Sequence, residues 1–185
     1  MSYYPNPMHT QSSRGSSQAY SISQGSVPQC PTFKSPTRRR VPQAPYSPSS
    51  KWKVATGRTH QLHSSGVSMR ELSLRGTSTP IQGAGDPVFS NTGLQRIVFR
   101  ILWPGYEHVE WCRGIVVTSP NGAPITRVAL GNQIAQNFAR FMEGYSPQKT
   151  QYETPSVQDW MHLFLISLNN VFEDSWQADI ALDLC

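Results

Sequence analysis

Three adjacent arginines, Arg38, Arg39 and Arg40, are followed after ten residues by Lys51 and Lys53 on either side of Trp52. They are the densest concentration of one chemistry in the chain. Cations at that density displace condensed counterions from a phosphate backbone, and the same pattern fits a nuclear-import signal. The plainer reading is a solvated basic arm with no dedicated partner. Ser35, Ser47 and Thr79 each precede a proline and are candidate sites for proline-directed kinases. A phosphate beside Arg38–Arg40 would partly neutralise the cluster.

Other arrangements fall short of a reaction. His60 and His63 are three apart, but a zinc site needs three or four ligands and no second pair follows. His108, Glu110 and Cys112 alternate, so an extended segment presents all three on one side; the downstream Pro-Cys-X-X-Cys of a zinc deaminase is missing. Gly83-Ala84-Gly85 lacks both the phosphate-loop lysine and dinucleotide spacing, and there is no Gly-X-Ser-X-Gly elbow. Glu173, Asp174 and Asp179 read as solvated carboxylates near a turn. No catalytic residue, cofactor site or metal site is expected.

The surrounding chain divides in two. Of its 185 residues only 37% are apolar, and 15 are proline. Residues 1–70 hold nine basic side chains and no acidic one, whereas 71–185 hold seven basic and all eleven acidic residues. Residues 1–93, rich in Ser, Pro and Gln, read as a disordered basic arm with too little apolar surface to offset the entropy of ordering. Within it only the stretch from Val67 to Leu74 alternates enough to pair as an edge strand. Residues 94–185 read as one compact domain. The Met-Ser-Tyr-Tyr-Pro start carries no apolar run, so neither a secretory signal nor a membrane span is expected. Three scattered cysteines, Cys30, Cys112 and Cys185, fit a reducing compartment, nucleus or cytoplasm.

Within the domain, Arg96 to Trp103 is β-branched and aromatic and predicts a strand with Ile97, Phe99, Ile101 and Trp103 on one face. Pro104-Gly105 stops it, and a weaker strand runs from Cys112 to Thr118. Leu130, Ile134, Phe138 and Phe141 fall on one helical stripe, with Thr126 as N-cap and Gly144 as stop. Gly131 inside that helix implies a close backbone contact. A second helix is expected from Thr154 or Ser156 through Phe172, its apolar face made by Val157, Trp160, Met161, Phe164, Leu168, Val171 and Phe172. Its length argues against a buried strand. Trp176, Ala178, Ile180 and Leu182 alternate with Gln177, Asp179, Ala181 and Asp183 as a half-buried last strand. The expected fold class is α+β: a small antiparallel or mixed sheet of about three strands, two helices on one face, and a long disordered arm ahead of it. Alternating charges on the first and last strands place Arg96 and Arg100 within reach of Asp179 and Asp183.

The groups Trp103-Pro104-Gly105-Tyr106, Trp111-Cys112-Arg113-Gly114-Ile115, Pro124-Ile125-Thr126-Arg127 and Ser175-Trp176-Gln177-Ala178 follow one another in order. In these the chain resembles a large set of uncharacterised small proteins of basidiomycete fungi. Their usual forms are Trp-Pro-Gly-Tyr, Trp-Ser-Arg-X-Ile, Pro-Ile-Thr-Arg and Gly-Ser-Trp-Gln-Pro. The chain departs at Cys112, at Asp174 and at Ala178. The resemblance spans Ile97 to about Leu182 and implies a shared domain without an assigned activity. The functional expectation is a non-enzymatic protein-interaction module with a regulatory arm and an unknown protein partner. The alternative is a nuclear protein that binds a nucleic-acid backbone through the arm.

Overall fold

The computed structural model describes residues 37–44, 46, 59–61, 66–106, 108–145 and 162–183. At its centre is a hairpin of two long strands, β6 (Leu163–Phe172) and β7 (Ser175–Asp183). Glu173, in left-handed conformation at φ 41°, and Asp174 form its turn. The Asn170 side chain secures that turn by donating to the carbonyls of Glu173 and Ser175 at 2.7 and 3.2 Å.

Shorter strands flank the hairpin: β1 (Arg38–Arg40), β2 (Thr59–Gln61), β3 (Val67–Ser68), β4 (Arg96–Ile101) and β5 (Trp111–Val116). The described residues thus make a seven-stranded mixed sheet of order β2-β6-β7-β4-β5, with β3 also on β6 and β1 also on β7. Only β4 with β7 is parallel; the remaining pairs are antiparallel. The α+β class stands, but three strands understate the sheet.

One face of the sheet carries two helices, α1 (Met69–Arg75) and α2 (Arg127–Gly144). Thr126 caps α2 as expected, its hydroxyl accepting from the Ala129 N–H at 3.4 Å. The stripe Leu130, Ile134, Phe138 and Phe141 is fully buried, and Gly131 is buried with it. Rings pack edge-to-face across this layer: Phe99 and Trp103 on Phe138, Trp111 on Phe141, and Phe89 on Trp176 at 4.9 Å.

Two expectations are corrected. The helix through residue 172 does not form there: Leu163–Phe172 is β6, and the second helix is α1, which lies inside the expected arm. A bulge between Leu165 and Ser167 shifts the inward series to Leu163, Leu165 and Leu168, while Phe164, Leu168, Val171 and Phe172 keep a helical spacing by accident. Moreover, β6 is covered on both faces, and its outer face mixes Phe164 with Ser167 and Asn169, so no polar stripe marks a solvent side. The expected arm is also not wholly outside the fold. Residues 38–40, 59–61 and 67–75 form β1, β2, β3 and α1, with Ser68 capping α1. The rest of the expected second helix, residues 154–161, lies outside the described residues. Among the described residues no helix is long and apolar enough to cross a membrane.

Candidate strand-docking site

The face of the sheet opposite the helices is polar and nevertheless buried. From β6 and β7 it presents Ser167 opposite Asp179 and Asn169 opposite Gln177, all of them 3% exposed or less. Part of its cover is a strap, residues 38–44 and 46, which runs antiparallel along β7.

The strap begins as β1, with Arg38 opposite Asp183 and Arg40 opposite Ala181. The Val41 N–H donates to Ile180 O at 3.0 Å. Pro42, which has no N–H to give the ladder, then sits in a tight turn closed by Gln43 N–H to Val41 O at 2.9 Å. Here β4 takes over the edge of β7, and the strap moves on to the outer face. The Gln43 side chain fills the gap by donating from Nε2 to Ala178 O at 2.5 Å.

Gln177 holds the strap through backbone atoms. Its Oε1 accepts from the Tyr46 N–H at 3.1 Å, and its Nε2 donates to Ala44 O at 3.0 Å. One side-chain amide thus reads both backbone groups of an extended segment, as a neighbouring strand would. The charges are also matched. Arg40 Nη1 lies 3.2 Å from Asp179 Oδ2 and Arg38 Nε 3.6 Å from Asp183 Oδ2. The Arg38 guanidinium sits 3.4 Å above the Phe164 ring. Tyr46 lies under the Arg100 guanidinium at 3.9 Å and edge-on to Phe172. Arg100 is turned to Glu110 at 2.6 Å and to Ser175 at 3.3 Å.

The arginine cluster therefore sits in the sheet with two of its charges opposite carboxylates. Lys51, Lys53, Ser35 and Ser47 lie outside the described residues. Thr79 is 2% exposed and donates its hydroxyl to the carbonyls of Glu71 and Gly76, so no kinase reaches it without opening the fold. Asp179, expected on a solvated surface, is buried against Arg40. Arg100 and Asp179 do not pair.

The motif residues are chiefly architectural. Trp103 and Trp176 are buried in the core, as expected. Trp103-Pro104-Gly105-Tyr106 is a turn closed by Tyr106 N–H to Trp103 O at 2.9 Å, with Gly105 at φ 84°. Arg113 lies over the Trp111 ring. Pro124 and Ile125 return the chain alongside Val117 and Thr118 before Thr126 caps α2. Arg127 pairs with Asp86 at 3.0 Å. Ser175 and Gln177 face the strap side, as does Cys112, which lies opposite Arg100.

Elsewhere, a groove of about 440 Å³ is lined by Gln95, Arg96, Val116, Thr118, Pro120 and by Ser119, whose hydroxyl donates to Ala123 O. It assembles no nucleophile with a base. His108 stacks on Tyr106, and Glu110 is held by Arg100, so His108, Glu110 and Cys112 do not converge. Among the described residues no three His, Cys, Asp or Glu side chains gather as a metal would require. No protein-family model, curated protein or solved structure matches this chain.

Proposed function

We propose that the protein is a non-enzymatic protein-interaction module of the nucleus or cytoplasm, regulated by its own basic arm. We propose also that it belongs with the basidiomycete proteins its motifs resemble. The observation that carries the first reading is the grip of Gln177 on both backbone groups of the strap, flanked by the Arg40–Asp179 contact. Recognition of an extended segment through its main chain, with side-chain pockets for register, is how modules that bind by strand addition work. Occupation by the chain's own arm makes such a surface conditional on the arm's release. Ser35 is three residues from Arg38 in sequence, and a phosphate there would compete with Asp183 and Asp179 for the arginines.

The test compares locked and released arms in the full-length protein. Arg39 and Leu182 are directly opposite, a spacing of about 4.5–5.5 Å between Cα atoms that a disulfide spans. The locked form is Arg39→Cys with Leu182→Cys; the released form is Arg38→Glu with Arg40→Glu. Partner capture should rise on release, fall to background in the oxidised lock and return on reduction. Capture that ignores the state of the arm refutes the reading. Nucleic-acid binding through the arm makes a different demand: affinity falling steeply with salt and abolished in the oxidised lock.

A further inference from the structure

We propose that the strap's seat on β7 is a binding site for an extended segment of another protein. That segment carries arginines at alternate positions, an apolar residue directly after the second and an aromatic one six positions beyond it. The strap itself is the model ligand, through Arg38, Arg40, Val41 and Tyr46. The inference rests on the interaction-module reading and names that module's ligand.

Alternate residues of an extended chain point the same way, so Arg38 and Arg40 present two guanidinium groups along one line. The receiving line on β7 is Asp183 and Asp179, four residues apart, with Phe164 beneath the first guanidinium. Beyond it, Gln177 accepts any backbone, and Phe172 with Arg100 forms the aromatic slot. The seat is therefore strict about charge and ring, and tolerant between them.

Two features make the strap replaceable. Among its described residues Val41 is the one apolar side chain in the main hydrophobic core, so leaving takes little apolar surface with it. It also leaves room for a better ligand: Gln43 Oε1 is buried with no donor from the protein. A segment that donates to Ala178 O without burying an idle acceptor binds this seat better.

The occupant is a foreign chain rather than a second copy. Residues 47–58 link the strap to β2, which lies beyond β6. Crossing the hairpin needs about three strand spacings, ~14 Å, and twelve residues reach about 40 Å. Twelve residues exceed that span by length alone, so a short connection does not drive exchange between copies. A second copy would also bring the same imperfect ligand to a seat already filled at an effective concentration on the order of mM.

The probe is a fluorescently labelled peptide of residues 36–48, titrated by anisotropy into full-length protein. Saturable binding to the released form (Arg38→Glu with Arg40→Glu) at least tenfold tighter than to the unaltered chain is expected. Adding Gln177→Ala or Asp179→Asn to that background should weaken it at least tenfold, and a peptide with both arginines changed to glutamate should not bind. Gln43→Ala with Tyr46→Ala provides a second released form that keeps both ion pairs, should the first not fold. Absence of saturable binding to a released form with native near-ultraviolet dichroism overturns the proposal. So does equal binding to the unaltered chain, or a concentration-dependent dimer that excludes the peptide. Peptide binding without arm-dependent partner capture defeats the module reading instead, and capture without peptide binding defeats this one.

Discussion

The two faces of the central hairpin are made from the same strands and are both buried, yet they are built from opposite materials. On the inner face Leu165, Leu168, Trp176, Ala178 and Ile180 meet α1, α2 and the rings around Phe138. On the outer face Ser167, Asn169, Gln177 and Asp179 meet a strap held by hydrogen bonds and ion pairs. Apolar burial is non-directional and scales with area; polar contacts are directional and contribute little net unless lost on one side alone. The inner face accordingly supplies most of the stability, and the outer face fixes the place and direction of the strap that lies on it.

The comparison can be broken first at its strongest point. Trp176 is 1% exposed and edge-on to Phe89 at 4.9 Å. Trp176→Ala should cost about 3–5 kcal/mol, read as a large drop in thermal midpoint. An unchanged midpoint would deny the inner face its role. Next comes Arg40→Ala, which removes a guanidinium from a carboxylate whose side chain is only 2% exposed. A charge-assisted contact of this kind contributes about 2 kcal/mol, and its loss should appear mostly as faster amide exchange at Val41, whose N–H bonds to Ile180 O. Exchange that accelerates equally in α2 would mean that the strap and core unfold as one unit. Arg38→Ala touches a longer contact, 3.6 Å, to a carboxylate that is 22% exposed where Asp179 is 2%, and should cost less, about 1 kcal/mol. That loss should shrink further in high salt.

What was legible in the sequence follows the same division. Ile97, Phe99 and Ile101 alternate without interruption on β4, and the stripe from Leu130 to Phe141 keeps helical spacing, so both elements could be read directly. Trp103 and Trp176 could be read as core from their places beside those patterns. β6 could not, because its bulge and its two covered faces remove the period that distinguishes strand from helix. β1 was hidden for another reason: three arginines carry no strand propensity or apolar face. Their order comes from Asp179 and Asp183, some 140 residues away in the chain. The polar alternation of Gln177 and Asp179 was visible, but it looks the same whether water or a strap covers it.

The smallest expected effect is the sharpest discriminator. Alternation of Arg96 and Arg100 against Asp179 and Asp183 made an Arg100–Asp179 pair a natural expectation, because β4 and β7 share a sheet with their apolar faces aligned. The two strands are indeed neighbours and parallel, but the register sets Arg100 opposite Gln177. Asp179 lies two residues further along β7, about 7 Å away at ~3.3 Å per residue, past the end of β4 at Ile101. Each charge has found a nearer partner, Arg100 in Glu110 and Asp179 in Arg40. A double-mutant cycle on Arg100 and Asp179 should therefore give coupling within about 0.3 kcal/mol of zero, while the cycle on Arg40 and Asp179 should give about 1 kcal/mol or more. If the two values came out reversed, β4 would be the partner of the outer-face carboxylate. The strap would then be a bystander, and the contrast between the two faces would no longer depend on the arm.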